Sequence, residues 1–287
     1  MRVKNGPTHT AAGIMARRHV PHTLEERWEQ LHHGDREPWP DEELIGRLAS
    51  KYSTFEAWVY RAGGSGFVAQ GVQSAWQAFH AGDFQKAIEV GARLGPLGAT
   101  AANKAAAIDA LSGKYDAQTS LAMLDAAAKR GEQAAAMLPD YANGHYMVAL
   151  ALGRYSQKIS IVKALAQGLA TRVHDHLERT LELEPRHAEA HVALGVYHAE
   201  IVGMLGAFAA SLTYGASANT ALEHFRKALK LAPRSPIVHI EYAHGLMVLD
   251  AERHQREARK LYERAAACQP TDVTEELDVA RAKHNLV

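Results

Sequence analysis

The sequence predicts an all-α protein, a solenoid of helical hairpins with a short N-terminal helical extension. At 176–201, apolar residues recur three and four positions apart, stop at Pro185, and then resume. This pattern is typical of one helix that ends near the proline and a second that begins just beyond it. The same pattern returns at 221–246, around Pro233. A repeated two-helix unit buries its apolar face only against its neighbours, so we expect the units to stack.

The composition excludes several classes of protein. Lys plus Arg and Asp plus Glu both number 32 in the 287 residues, which gives no net charge to attract nucleic acid. Cys268 is the single cysteine, so an internal disulfide is excluded and a reducing compartment is expected. The N-terminus has no apolar run typical of a signal peptide. We therefore expect a cytoplasmic protein that binds no nucleic acid.

The N-terminal part predicts a tail followed by short helices. Residues 1–22 are basic and lack acids, which fits a flexible tail or, as an alternative, an organellar targeting segment. Thr23 and Glu26 have the spacing of a capping box, and Asp41 is placed to cap a helix at 42–52. An aromatic-rich segment follows, and we expect 23–60 to be docked because so much aromatic surface is unfavourable in water.

The glycine-rich stretch 61–66 is the most linker-like part of the chain and suggests a domain boundary. Residues 1–66 are then the tail plus extension, and 67–287 the solenoid with a C-terminal capping helix at 275–284. The expected hairpins pair 70–80 with 84–94, 101–111 with 121–138, 142–155 with 171–183, 188–202 with 222–231, and 236–249 with 255–268.

Two long stretches, 156–170 and 204–220, are expected to be loops between the helices of a hairpin. Residues 201–221 carry no charge and are long enough to span a membrane. Their glycines, serines and threonines make them only weakly apolar, so we interpret the stretch as a loop packed on the solenoid and expect no transmembrane segment.

Alignment on four prolines reveals a repeating ladder of small, large and small residues before Pro139, Pro185, Pro233 and Pro270. Twelve residues before them stand Ala127, Val173, Ala221 and Ala258; eight before, Gly131, Leu177, Phe225 and Tyr262; five before, Ala134, Thr180, Ala228 and Ala265. The ladder resembles the second helix of a tetratricopeptide repeat (TPR), in which small residues let neighbouring helices approach. The resemblance covers 70–270.

The prolines are 46, 48 and 37 residues apart, whereas a TPR has a period of about 34. The inserts, together with Leu-Glu-Leu-Glu-Pro185 and His-Val-Ala-Leu-Gly195, make the chain similar to the regulator of microtubule dynamics family of eukaryotes. A more distant likeness is to repeat proteins associated with bacterial periplasmic substrate-binding transporters. The first resemblance implies an adaptor-like repeat protein; some members of that family are membrane-anchored and linked to lipids at organelle contacts.

Seventeen histidines raise the hypothesis of a metal site. His187 and His191 are four apart on one helix face, a spacing that suits zinc. However, His145, His191 and His239 recur at the fourth position of their repeats, where the TPR pattern has a large packed residue. We therefore interpret them as structural and expect no metal. No catalytic motif occurs, so we expect no enzyme and no cofactor.

In a TPR array the second, fifth, ninth and twelfth positions of each first helix face the concave side. Here that surface is mostly aliphatic and has no lysine, which suits an amphipathic helix or a lipid chain better than a C-terminal carboxylate. The candidate binding residues are Tyr146, Leu150, Val192, Val196, Ile240, His244 and Met247.

Two functions follow. The first is a scaffold that binds a protein or peptide partner in the groove or through the N-terminal helices. The second is a carrier of a lipid or other apolar small molecule. As an alternative to either, the chain's own N-terminal helices or residues 204–220 fill the groove.

Overall fold

A computed structural model describes residues 23–159 and 161–286, and its regular elements are all helices. The expected tail at 1–22 lies outside these residues. The helices are α1 (Leu24–Leu31), α2 (Glu42–Lys51), α3 (Ser53–Ala62), α4 (Ser65–His80), α5 (Phe84–Gly91), α6 (Gly95–Asp109), α7 (Ala117–Met137), α8 (Ala142–Ser156), α9 (Ile161–Ala166), α10 (Leu169–Leu183), α11 (Ala188–Leu205), α12 (Ala207–Tyr214), α13 (Ala218–Leu231), α14 (Pro236–Ala266) and α15 (Val273–His284).

The expected all-α hairpin solenoid is confirmed. Successive hairpins are α4–α5, α6–α7, α8–α10, α11–α13 and the two halves of α14. Asp250 divides α14, because its φ of −166° and ψ of 93° are not helical. Its carboxylate accepts a hydrogen bond of 3.0 Å from the backbone N–H of Arg253 and so caps the second half. Asp272 caps α15, accepting from the backbone N–H of Glu275 at 2.9 Å.

The N-terminal extension is docked as expected. Thr23 and Glu26 form the reciprocal capping box of α1, and Asp41 caps α2 at 2.7 Å. The side chains of Trp28 and Phe55 lie in one apolar core with Trp76 of α4. The stretch 61–66 is less of a linker than its glycines indicate. Between α3 and α4 only Gly63 and Gly64 are non-helical, and both have positive φ, which glycine adopts without strain.

Both inserts contain a short helix where loops were expected. In the first, α9 precedes α10; in the second, α12 packs beside the end of α11, with Ala210 fully buried near Tyr197 and Ile201. Gly206 and Gly215, both with positive φ, bound α12 and turn the chain at its two ends. The prediction of a loop at 204–220 was wrong for the residues between Gly206 and Gly215. They include good helix formers, and the glycines on either side hid this signal. No helix in the described part of the chain is long and apolar enough to cross a membrane.

Candidate ligand-binding cavity

A cavity of about 560 Å³ lies between α8, α10, α11 and α14 on the concave side of the solenoid. Its walls are mainly aliphatic, with Leu150 and Ala149 from α8, and Val192 and Val196 from α11. α10 contributes Leu169, Ala170, Val173 and Leu177, and the far wall comes from α14 through Ile237, Glu241, His244 and Val248. Helices α8 and α11 are adjacent first helices of the array, and the space between them is left unfilled.

Five of the seven candidate binding residues line this cavity: Tyr146, Leu150, Val192, Val196 and His244. Ile240 and Met247 do not line it. Ile240 is fully buried beside Ala265 and Ala282 because α15 packs over that face of α14. Met247 packs against the core around Phe225 and Leu261. The sequence pattern placed these two on the groove because it carried no information about the position of α15.

Charged side chains close the α14 side of the cavity. Glu241 is bound by Arg281 of α15 at 2.7 Å and faces Arg154 at 3.6 Å. Burial favours the neutral acid, but the two guanidinium groups outweigh it and hold the pKa of Glu241 below its usual value. Burial raises the pKa of Glu200, on α11. Burial also raises the pKa of Asp278, on α15, to about 7.

The N-terminal turn after α1 occupies the neighbouring part of the concave face. The carbonyl oxygen of Gly34 accepts a hydrogen bond of 3.1 Å from the backbone N–H of Glu189, at the start of α11. The carboxylate of Asp35 lies 2.5 Å from Nζ of Lys104, which also contacts Glu189 at 3.0 Å. Tyr146 donates its hydroxyl to the same Glu189 at 2.9 Å. The alternative in which the chain covers its own groove therefore holds for this part of the face.

Sequence reasoning missed this contact, although one signal was present. Lys104 is the only charged residue before Asp109 in the alanine-rich helix α6, and a lysine buried among alanines requires a carboxylate partner. Two carboxylates of the N-terminal turn, those of Asp35 and Glu37, approach α6 in addition to that of Glu189. Glu37 accepts from the hydroxyl of Thr100 at 2.9 Å. The partners are 69 residues apart in sequence, so spacing could not reveal the pair.

The two ends of the solenoid meet at the N-terminus of α15. His80, at the end of α4, contacts Asp272 at 2.6 Å, and Arg27 of α1 donates to the carbonyl oxygen of Thr271. Helices α4 and α1 thus both contact the segment that leads into α15.

At the cavity wall, Met204 leads into α12, which carries a conspicuous apolar surface. Phe208 and Leu212, one helical turn apart, are 84 % and 78 % exposed. The loop expectation for 204–220 included packing on the solenoid, and Ala210 and Ala216 do so. Phe208 and Leu212 instead face away from the protein.

The recurring histidines have structural partners. His145, His191 and His239 each direct Nε2 to the carbonyl oxygen of the turn proline six residues earlier, at 3.0, 3.2 and 2.9 Å. His187 is the N-cap of α11, where its Nδ1 accepts from the backbone N–H of Ala190 at 3.0 Å. Burial lowers the pKa of His187 and that of His191 to about 4. In the described residues, no three His, Cys, Asp or Glu side chains converge as a metal ion would require.

Comparison with known proteins adds the family. The family model described as regulator of microtubule dynamics protein 1-3 matches residues 99–286, about two thirds of the chain. The chain belongs to this family. No curated protein matches the chain.

A solved structure similar to this chain is the crystal structure of TTC0263, a thermophilic TPR protein of Thermus thermophilus. The two chains superpose with a TM-score of 0.54 at 16 % identity, over 76 % of this chain and 99 % of that one. At this identity the likeness shows the fold alone. This regulator of microtubule dynamics family member therefore has a TPR-like helical fold.

Proposed function

We propose that this chain is a non-enzymatic carrier that holds an apolar chain, such as the acyl chain of a lipid, in the cavity between α8, α10, α11 and α14. The observation that supports it is the cavity itself. Its volume of about 560 Å³ falls within the range of small-molecule pockets, about 300–1,000 Å³. Leu150, Val192 and Val196 offer such a chain an aliphatic wall, and burial of its methylenes is favourable.

The shape of the concave face favours an acyl chain over a peptide helix. A helix with its side chains is about 10–12 Å wide and needs a groove open along several repeats. Here the turn around Gly34 and Asp35 covers one side of the groove, and α15 packs on α14 at the other. The space left between them accommodates a narrower ligand.

A protein partner is the second candidate, and a different surface favours it. Phe208 and Leu212 of α12 are large, apolar and exposed, and such side chains are frequent at interaction surfaces. This candidate retains the scaffold function but places it on α12 instead of in the groove. Phe208→Ser with Leu212→Ser should then abolish partner binding and leave the cavity ligand in place.

The carrier is tested by organic extraction and mass spectrometry of the purified protein, with a matched pair of glycine variants. Gly153 lines the cavity, and a Cβ added there would meet no atom within 4 Å. Gly153→Leu should therefore place a large side chain at the cavity wall, with no close contact at its Cβ. Gly46, on α2, has equally open surroundings, so Gly46→Leu is the control.

We expect a stoichiometric lipid in the wild type and in Gly46→Leu, and at least a tenfold loss in Gly153→Leu, with all three proteins folded. Absence of apolar ligand from the wild type, together with no uptake of a fluorescent fatty acid, would overturn the carrier. So would retention of the ligand by Gly153→Leu.

A further inference from the structure

Four side chains form a continuous hydrogen-bonded row between the N-terminal turn and the C-terminal helix. Nδ1 of His32 lies 2.9 Å from Oδ1 of Asp35, and Nδ1 of His80 lies 2.6 Å from Oδ2 of Asp272. The two rings face each other through their Nε2 atoms, 3.2 Å apart. All four side chains are at most 8 % exposed, so water does not separate them.

Two neutral imidazole rings do not carry enough N–H groups to make every hydrogen bond in this row. Asp35 accepts from Nζ of Lys104 and from the backbone N–H of Glu37. Asp272 accepts from the backbone N–H of Glu275 and from the hydroxyl of Thr274. Both carboxylates are therefore acceptors, and each Nδ1 must donate. A neutral imidazole has one N–H, so two neutral rings would point two lone pairs at each other across 3.2 Å. One added proton turns this repulsion into a hydrogen bond.

We propose that His32 and His80 form a buried binding site for one extra proton, in which an imidazolium at His80 donates its Nε2–H to neutral His32 and so joins α4 and the cap of α15 to the N-terminal turn. The site is independent of the cavity and its ligand.

The surroundings favour a cation at His80. Its ring stacks on that of Trp76, with centroids 5.7 Å apart and an angle of 23°, and Phe79 lies 5.1 Å away. Aromatic faces attract cations. Trp28 covers the partner ring of His32 at 4.0 Å. Burial lowers the pKa of His32, which agrees with His32 as the neutral member of the pair.

Among the neighbouring charges, the carboxylate of Asp272 is the anion that pairs with a cation at His80. Asp35 is neutralised by Lys104, whereas the ion pair of Asp272 is with His80. Arg27 donates to the carbonyl oxygen of Thr271, and Glu275 accepts from the backbone N–H of Thr271. Glu37, on the N-terminal turn, also lies near Asp35, and burial, with a contribution from Asp35, raises its pKa to about 8. His187 lies near Asp35 as well, and burial lowers its pKa to about 4.

Two other histidine pairs show the contrast. Nδ1 of His145 faces Nδ1 of His176 at 3.1 Å, and Nδ1 of His191 faces that of His224 at 2.9 Å. In each pair the first ring donates Nε2–H to a proline carbonyl, so its Nδ1 is free to accept from the second ring. Both bonds form between neutral rings, and no added proton is required.

The direct test is long-range 1H–15N NMR of the histidine-labelled full chain at pH 7 after treatment with a chelator. Among the buried histidines we expect one imidazolium, with protons on both nitrogens, whose signals disappear in His80→Asn. His145, His176, His191 and His224 should give neutral spectra. A neutral His80 would overturn the proposal, and so would signals that change on chelation, because the site would then hold a metal ion.

A second measurement is amide hydrogen exchange at the junction between the N-terminal turn and α15. Each measured rate is corrected for the intrinsic exchange rate at that pH. Loss of the shared proton at high pH would leave the two Nε2 lone pairs pointing at each other, so the junction should loosen as pH rises. Glu37 and Asp278 both have pKa values raised into this range, to about 8 and about 7. To remove their titration, all proteins carry Glu37→Gln and Asp278→Asn. Amides of 32–37 and of the first turn of α15 should exchange at least tenfold faster at pH 9 than at pH 6.

With His80→Asn added, these amides should exchange fast at both pH values, whereas the control His176→Asn should behave like its parent. Equal exchange at pH 6 and pH 9 in the parent would overturn the proposal. If His80→Asn fails to fold, the proposal is still tested by the exchange rates of the parent at the two pH values and by the NMR spectrum of the parent.

Discussion

The Nε2 atom of His191 lies 3.2 Å from the carbonyl oxygen of Pro185, in the turn that precedes the helix of the histidine. Since a carbonyl oxygen only accepts, the ring donates. The same relationship joins His145 to Pro139 and His239 to Pro233. The repeat thus uses a histidine where a TPR has a large packed residue, and the histidine ties the helix to its own turn.

His191→Ala should lower the free energy of unfolding by about 2–4 kcal/mol, because it removes a packed ring and leaves a carbonyl without its donor. His191→Phe should recover most of the packing and lose about 1 kcal/mol. Urea denaturation with and without a chelator measures both. If chelation destabilises the wild type as much as the alanine substitution does, the histidine holds a metal ion.

Phe225 fills the space that two glycines leave between α11 and α14. A Cβ at Gly195 would lie 2.6 Å from the ring of Phe225, and one at Gly245 would lie closer still. Gly195→Ala and Gly245→Ala should each destabilise by about 1–3 kcal/mol through overpacking. Gly153→Ala, a helical glycine with open surroundings, is the control and should stabilise by about 0.5–1 kcal/mol. Thermal denaturation would contradict this account if all three variants behaved alike.

Val196 and Ile240 should respond differently to the same change. Val196 is half-buried and lines the cavity, whereas Ile240 is fully buried under α15. Val196→Asp should keep the fold and weaken binding of a fluorescent fatty acid. Ile240→Asp should unfold or severely destabilise the chain, because it places an unpaired charge in the core. Circular dichroism and the binding assay separate the two effects; a folded Ile240→Asp variant would place Ile240 on an accessible surface.

Glu37 should make the protein less stable as pH rises. Burial, aided by Asp35, raises its pKa to about 8 from the ordinary 4.5. The folded state therefore binds this proton more tightly than the unfolded state does. The stability that the bound proton contributes is lost as pH rises from the lower of these two pKa values to the higher. Relative to Glu37→Gln, the wild type should lose up to about 1.4 kcal/mol per pH unit across this interval. Urea denaturation at pH 5 and pH 8 measures it; an equal difference between the two proteins at both pH values would contradict the raised pKa.

Much of the fold was readable from local patterns. The turn prolines, the capping residues Thr23 and Asp41, and the apolar periodicity predicted the hairpins because helix formation depends on residues three and four apart. The candidate binding residues came from the same periodicity, and five of the seven line the cavity. That they bind a ligand stays a prediction.

What only the tertiary structure decided is where the ends of the chain go. His80 meets His32 across 48 residues and Asp272 across 192. α15 buries Ile240, and the turn at Gly34 and Asp35 covers the face beside the cavity. No local period encodes such contacts, because they depend on the summed curvature of all the hairpins between them. The sequence by itself determined the repeating unit, and the closure of the array determined which part of its concave face remained open.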